Sequence, residues 1–173
     1  MDETIIEQWQ QAEAAVRARL APVGCATREQ VRARSGLEFL QAIASGELPG
    51  PPIGATLGFV PIECEPGRVV FQGQPRREHF NPLGTVHGGY VATLLDSCVA
   101  CAVQTMLPAG KAYTTLELKV NFIRALTDQV GPVRAEGKVV SVGGQIGIAE
   151  GRLTDSAGKL YAFATTTCLI FAI

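Results

Sequence analysis

The sequence predicts an α+β fold in which one long helix packs against an antiparallel sheet. Residues 90–106 form a run without proline or glycine that is apolar on nearly every side, as expected for a helix enclosed by protein. Residues 113–123 alternate apolar and polar side chains, which is typical of a half-buried strand. Turn sequences separate the other strand-like segments, which favours antiparallel hairpins. A helix and such a sheet form a two-layer fold.

Two helices are predicted before the sheet. Residues 3–20 carry apolar side chains at helical spacing, and Pro22 follows as a helix breaker. Residues 28–45 predict a second helix, with Thr27 as a possible N-cap and Gln30 three positions later. We expect these helices to serve packing or assembly rather than to contact a ligand.

The next segment, residues 46–53, is rich in proline and glycine and is predicted to be a linker. We therefore divide the chain into an N-terminal extension at 1–52 and a main domain at 53–173. In the main domain the predicted strands are 56–64, 68–74, 113–123, 133–141, 145–155 and 159–171.

Composition limits the possible classes of function. A chain of 173 residues with 47% hydrophobic residues is long enough for one domain with a substantial core. A net charge of −1 without a basic stripe argues against a nucleic-acid partner. The N-terminus lacks the pattern of a signal peptide and no segment predicts a membrane span, so we expect a cytoplasmic protein. The five cysteines are scattered, and Cys98 and Cys101 lie inside the predicted helix, so we expect no metal site.

Asp96 is the one carboxylate in the long apolar helix, and a charged residue at such a position requires an explanation. One interpretation is a narrow solvated side of the helix that Asp96 shares with Thr93, Ser97 and Gln104. The other is chemical, because His87, Gly88 and Gly89 precede the helix and present backbone N–H groups at its positive end. Such a helix start can polarise a carbonyl oxygen or hold an oxyanion. The stretch therefore combines an electrophile-activating end with a candidate base.

Gly88 and Asp96 cannot reach one substrate from the same helix. They are eight residues apart, or about 12 Å along a helix. A base and an oxyanion site both need to lie roughly 3 Å from the reacting group. Two antiparallel copies of the helix would solve this, with the carboxylate of one chain facing the glycines of the other. The sequence therefore predicts a two-fold dimer with sites at its interface.

The segment from about 53 to 171 resembles a known family. The motif Asn81-Pro-x-Gly-x-Val-His-Gly-Gly is followed by the apolar helix with Leu-Leu-Asp96 and by the strand at 113–123. This combination is similar to the hotdog-fold acyl-CoA thioesterases of the phenylacetic-acid-degradation (PaaI-like) type. The resemblance implies a hotdog fold, in which an antiparallel sheet wraps around a long central helix, with the N-terminal helices as additions. It also implies hydrolysis of an aryl- or medium-chain acyl-CoA to free acid and coenzyme A.

The resemblance also implies roles for single residues. Asp96 matches the family's general base or nucleophile, and Gly88 matches its carbonyl-polarising N–H. Asn81 and His87 match the positions that shape the loop and the thioester, and Thr115 matches a hydroxyl that orients the attacking water. Without the resemblance, Thr115 would be read as an ordinary strand residue.

Other residues are candidates for binding the acyl group or coenzyme A. Gly89 and Tyr90 begin the helix, and His79 lies two residues before the motif, as a residue of a pocket rim or of a plain loop. Arg76, Arg77 and Arg124 are candidate partners for the phosphates, although surface arginines are usually only solvated. No cofactor is expected besides coenzyme A as part of the substrate. The expected assembly is a homodimer that pairs again into a homotetramer.

Two alternatives stay open at this stage. The same dimer could bind an acyl-CoA or acyl carrier without chemistry. A hotdog dehydratase acting on an acyl chain is also possible, but the Asp96 helix with His-Gly-Gly matches the thioesterase arrangement instead.

Overall fold

The computed structural model describes residues 3–173, so residues 1 and 2 of the predicted extension lie outside it. The helices are α1 (Glu3–Arg17), α2 (Arg28–Arg32), α3 (Gly36–Ser45), α4 (Pro52–Leu57) and α5 (Gly88–Gln104). The strands are β1 (Phe59–Glu65), β2 (Arg68–Gly73), β3 (Lys111–Phe122), β4 (Val133–Val142), β5 (Ile146–Asp155) and β6 (Leu160–Ala172). Short 3-10 turns occupy Arg77–His79 and Asp128–Val130.

The six strands form one antiparallel sheet in the order β1-β2-β4-β5-β6-β3, which confirms the predicted α+β class. Helix α5 packs across one face of this sheet, and its residues Leu94, Leu95, Cys98 and Val99 are fully buried. Apolar side chains from every strand around the helix therefore share one core with it. The strand order leaves β1 and β3 at the two edges.

Glycines allow α5 to approach the sheet closely. Gly137 of β4 and Gly151 of β5 are paired across the two strands, beneath the middle of the helix. A Cβ on Gly137 would overlap the Cys98 carbonyl oxygen, and one on Gly151 would lie 2.5 Å from Val99 Cγ1. Because a larger residue would push the helix away, these glycines fix the height of Asp96 above the sheet.

Helix α1 packs on the opposite face of the sheet. Phe71 belongs to the core under α5, so the adjacent Gln72 points the other way, and its side chain is fully buried against α1. Gln72 Nε2 donates to the Trp9 carbonyl at 2.9 Å and to Glu13 at 2.8 Å, while Arg134 Nε donates to Gln72 Oε1 at 2.9 Å. The Arg134 guanidinium also lies 4.3 Å from the centre of the Trp9 ring. This polar network attaches the extension to β2 and β4.

The N-terminal region corrects three expectations. The first helix ends at Arg17 rather than at 20, and the segment 28–45 is two helices. Helix α3 has its own start, because Ser35 accepts from the Glu38 N–H and the Glu38 carboxylate accepts from the Ser35 N–H. The predicted linker is partly helical too, since α4 begins at Pro52, where a missing N–H costs nothing. The first strand consequently begins at Phe59 instead of 56.

Strand β3 does not keep the strict alternation that the sequence predicts. A bulge lies between Thr115 and Glu117, so Leu116 has no partner on β6 and is 57% exposed. Before the bulge Thr115 points towards α5, and after it Leu118 and Val120 do. The extra residue in the bulge therefore turns Thr115, a polar position of the predicted alternation, towards the helix.

Helix α5 is also shorter and more open than its sequence suggests. It ends at Gln104, and Met106, predicted as part of its apolar surface, is 47% exposed. One stripe of the helix is only partly covered by this chain, and it consists of Ala92, Thr93, Asp96, Ser97, Cys101 and Gln104. In residues 3–173 no helix is long and apolar enough to cross a membrane.

Candidate active site

Asp96 and Thr115 meet on the open side of α5. The Thr115 hydroxyl donates to Asp96 Oδ1 at 3.0 Å, which connects the helix to β3. Both side chains are half-buried. The hydroxyls of Thr93 and Ser97 instead donate back to carbonyl oxygens of their own helix. Asp96 does lie on the stripe with Thr93, Ser97 and Gln104, as the first interpretation expected, and it has a partner on β3 that the helix sequence does not indicate.

His87 caps the start of α5. Its Nδ1 accepts from the Gly89 N–H at 2.8 Å, and its backbone N–H donates to the His79 carbonyl at 2.7 Å. In the described part of the chain, the Gly88 N–H has no acceptor. Since the N–H groups of a first helical turn lack intrahelical partners, this one is available to a ligand at the positive end of the dipole.

Asn81 closes the loop that leads to the helix. Its side chain accepts from the N–H groups of Leu83 and Thr85, at 2.9 and 3.3 Å, and donates to the Thr85 hydroxyl at 2.9 Å. These bonds all stay within the loop, which fits the loop-shaping half of its expected role. They keep His87 and the glycines at a fixed place relative to β2.

A cavity of about 270 Å³, the Gly88 cavity, lies beside the helix start. It is lined by Val86, Gly88, Val91, residues 122–126 and Tyr161. A Cβ on Gly88 would lie 3.2 Å from Phe122 Cζ, so the ring forms a close wall. Arg124 lines this cavity and donates to the Leu160 carbonyl at its rim. Gly88 and Arg124 therefore line the same opening.

A second cavity of about 440 Å³, the histidine cavity, lies on the other side of the helix start. Its lining is Leu57, Glu78, His79, Phe80, His87, Gly89, Tyr90 and Thr93. His79 stacks on Tyr90 with ring centres 4.2 Å apart. Burial lowers the pKa of His79, against the opposing charge of Glu78. Four of the candidate residues, His79, His87, Gly89 and Tyr90, therefore meet here.

Arg76 and Arg77 lie outside both cavities. Each is exposed and forms a loose ion pair, Arg76 with Glu78 at 3.7 Å and Arg77 with Asp128 at 3.5 Å. Cys98 is buried and Cys101 half-buried on α5, and burial raises the pKa of the Cys101 thiol to about 12. Burial also raises the pKa of the Cys98 thiol, so the uncharged thiol is favoured at both positions.

Sequence reasoning missed several residues of the two cavities. Phe122 is an apolar residue of the alternating strand predicted at 113–123, but it is 58% exposed and forms the wall next to Gly88. Leu57 and Phe80 line the histidine cavity because α4 and the turn after β2 meet there. Their position depends on contacts between distant segments, and no local pattern indicates it. Neither cavity includes Asp96, which agrees with its separation from Gly88 along one helix.

Comparisons with known proteins show the family of this chain. The pattern of the thioesterase superfamily matches residues 83–162, which include Gly88, Asp96 and Thr115. A Saccharolobus solfataricus protein provisionally named an esterase is 33% identical over 103 residues, covering 60% of this chain and 71% of that protein. This chain belongs to the thioesterase superfamily. As a member it is a thioester hydrolase.

Two further proteins are similar to this thioesterase. The 1,4-dihydroxy-2-naphthoyl-CoA hydrolase of Listeria monocytogenes is 23% identical over 115 residues, covering 66% of this chain and 92% of that protein. A point mutant of the phenylacetic acid degradation protein PaaI from Thermus thermophilus superposes with a TM-score of 0.62 at 28% identity, covering 68% and 97% of the two chains. The sheet wrapped around α5 is the hotdog fold, as predicted.

Proposed function

We propose that this thioesterase hydrolyses the thioester of an aryl- or medium-chain acyl-CoA, at two sites shared between the chains of a homodimer. In each site Gly88 of one chain and Asp96 of the other act on the same thioester. The hydrogen bond from Thr115 to Asp96 at 3.0 Å is the observation that carries this proposal. A carboxylate on an otherwise apolar helix, held by a hydroxyl from a bulged strand, has the arrangement of a positioned base or nucleophile.

The chemistry follows from the charge that develops on the thioester. The carbonyl oxygen would accept from the Gly88 N–H, where the helix dipole favours negative charge. Asp96 takes a proton from water as the water oxygen bonds to the carbonyl carbon. The carbon–sulfur bond then breaks, and the thiolate of coenzyme A receives the proton. In the alternative route the Asp96 carboxylate attacks the carbonyl carbon, the carbon–sulfur bond breaks and the thiolate leaves. Water then hydrolyses the anhydride, which restores Asp96 and supplies the proton that the thiolate takes up.

The proposed dimer is supported by the edge of the sheet. Among residues 3–173, strand β3 pairs with β6 on one side only, and its other edge is unpaired over twelve residues. Leu116 and Phe122 on this strand are 57% and 58% exposed, which is unusual for large apolar residues of a strand. Pairing with β3 of a second copy would cover this edge and the open stripe of α5. It would also bring a second Gly88 towards Asp96. A further pairing of dimers stays a prediction.

The phosphates of coenzyme A would meet cations near the Gly88 cavity. Arg124 is the best supported of the three candidates, because it lines the cavity that contains Gly88. Arg76 and Arg77 are exposed on the turn after β2 and outside this cavity. In the described residues each forms a long ion-pair contact, so a phosphate could recruit either side chain.

Hybrid dimers test the shared site. Asp96→Asn should lower kcat by about 100-fold or more if the carboxylate acts as the base, with the fold kept. Gly88→Ala should also lower kcat, because its methyl group lies 3.2 Å from Phe122 and crowds the carbonyl position. Mixed subunits contain one site with both native residues, so thiol release from acyl-CoA should reappear when the two inactive proteins exchange chains.

Subunit exchange is verified separately, with two differently labelled proteins. If exchange is complete and no activity returns, the site is not shared between chains. If the wild-type protein releases no thiol from any acyl-CoA, the protein acts on another thioester or only binds acyl groups.

A further inference from the structure

One hydroxyl is buried on the core side of β6. Thr166 is 1% exposed and lies on the side of the strand that faces α5, where the other residues are apolar: Ala162, Ala164, Cys168 and Ile170. A hydroxyl at such a position is costly unless it has a hydrogen-bond partner. Its partner is the Glu117 carbonyl of β3, to which Thr166 Oγ1 donates at 2.7 Å. This bond therefore joins β6 to the residue directly after the extra residue of the β3 bulge.

The bulge decides which way Thr115 points. Leu116 has no partner on β6, so β3 has one residue more than β6 over this interval. Leu118 packs against the core under α5, so a regular strand would also turn Leu116 towards the helix and Thr115 away from it. The bulge reverses this order and places Thr115 Oγ1 at 3.0 Å from Asp96 Oδ1. The geometry of the bulge therefore controls the position of the hydroxyl beside the carboxylate.

Thr166 is distinguished from its neighbours on β6 by this contact. Thr165 and Thr167 are half-buried and lie on the opposite side of the strand. Among the side-chain hydrogen bonds of residues 3–173, that of Thr166 alone reaches the backbone of the bulge at 115–117. A valine would fill the same space in the core, so packing alone does not require a hydroxyl here.

We propose that Thr166 is a positioning residue for thioester hydrolysis: its hydroxyl fixes the β3 bulge and thereby holds Thr115 against Asp96. Thr166 acts through Thr115 rather than on the thioester itself. This inference rests on the proposed function, because it requires Asp96 and Thr115 to act in the hydrolysis.

Thr166→Val tests this role, since valine has a similar size and lacks the donor. The Glu117 carbonyl loses its bond and the bulge loosens, so kcat should fall about fivefold, the effect of one hydrogen bond, with little change in KM. Thr166→Ser keeps the donor and should stay near the wild type. The matched control is Thr165→Val, the same change at the adjacent position on the other side of β6, which should leave kcat unchanged.

A double variant separates positioning from a general loss of stability. Because Thr166 acts through Thr115, adding Thr166→Val to Thr115→Val should lower kcat no further. The role of Thr166 is overturned if the two losses multiply, or if Thr115→Val lowers kcat and Thr166→Val does not. Thr166→Ala serves in the same comparison if the valine variant does not fold, since alanine already occupies positions 162 and 164 on this side of β6.

Crystal structures of the wild type and of Thr166→Val give a readout that does not depend on turnover. The distance from Thr115 Oγ1 to Asp96 Oδ1 should increase in the variant, and an unchanged distance would reject the positioning role. If no acyl-CoA is hydrolysed, or if Thr115→Val leaves kcat unchanged, the proposed function or the part of Thr115 in it fails. A longer distance in Thr166→Val would then still show that Thr166 holds Thr115 in place.

Discussion

At the scale of single residues, function depends on which hydrogen bonds are satisfied within the chain and which are left open. The Asn81 side chain forms its hydrogen bonds within its own loop, and the His87 side chain forms one with the helix start. In the described residues the Gly88 N–H and His79 Nε2 have no partner. A ligand that accepts a hydrogen bond from either atom would satisfy a donor that the chain itself leaves open.

Thr115 provides a prediction about positioning. In Thr115→Val the hydroxyl that donates to Asp96 at 3.0 Å is replaced by a methyl group of similar size. The carboxylate then loses its fixed orientation, and we expect kcat to fall about tenfold with little change in KM. Thr115→Ser keeps the donor and should stay near wild type. Equal kinetics for the Val and Ser variants would show that the hydrogen bond does not matter for catalysis.

His79 predicts a pH dependence of stability. Burial lowers its pKa in the folded state below the ordinary value of 6.5, with Arg76 adding to the effect and Glu78 opposing it. The unfolded chain therefore binds more protons, and the free energy of unfolding falls as pH drops below about 6.5. Above that pH the neutral ring is present in both states, so the free energy of unfolding is not reduced by His79.

Urea unfolding of the wild type and of His79→Phe, between about pH 5 and about pH 8, tests this pH dependence of the free energy of unfolding. The cavity partner His87 is kept in both proteins, so the difference between them reports His79. The variant should lose less stability than the wild type on the acid side. Parallel curves would mean that His79 titrates alike in both states.

At the scale of elements, the extension is fixed to the sheet by a buried polar network rather than by apolar contacts alone. Gln72 is fully buried and bonds to Trp9, Glu13 and Arg134. No residue of the described part of the extension, 3–52, lines either cavity beside Gly88. This agrees with the expected packing role, while the domain division at 52 stays a prediction.

Gln72→Ala tests that network. The change leaves the Trp9 carbonyl and Arg134 Nε without their partner in a buried place, so the free energy of unfolding should fall by about 1–3 kcal/mol. Urea unfolding measures this loss in the free energy of unfolding. Gln129→Ala is the control, since that exposed side chain bonds only to its neighbour Asp128. An equal effect of both substitutions would rule out a stabilising network.

At the scale of the whole molecule, the open edge of β3 and the open stripe of α5 point to the same missing surface. A single chain holds Asp96 on a half-covered helix side and Gly88 about 12 Å further along the helix. An antiparallel second copy of the chain would cover the β3 edge and the α5 stripe, and would place its own Gly88 near Asp96. Assembly and activity are therefore expected to depend on the same contacts.

Leu116→Lys tests this dependence. A lysine in the β3 bulge would put a charge into the proposed interface, so we expect a shift to monomer in light scattering together with loss of thiol release. Val140→Lys is the matched control. Val140 is also a bulge residue and is 61% exposed, but it lies on β4 inside the sheet. A dimer that persists in the Leu116→Lys protein would exclude pairing through this edge.

The sequence by itself determined the fold class, the central helix, five of the six strands to within two residues, and the chemical motif with its family. These features are local, because they depend on periodicity, on turn residues and on a short motif. The break in the second helix was also local, through Ser35 and Glu38, although the sequence reasoning did not use that signal.

Only the tertiary structure decided the rest. The β3 bulge turns Thr115 towards Asp96, and the meeting of α4 with the turn after β2 forms the histidine cavity. The bonds that leave His79 with a free donor also come from folding. Each of these depends on a register or a packing distance between segments far apart in the chain. A single sequence records which residues are available for such contacts, and only the folded chain selects which of them form.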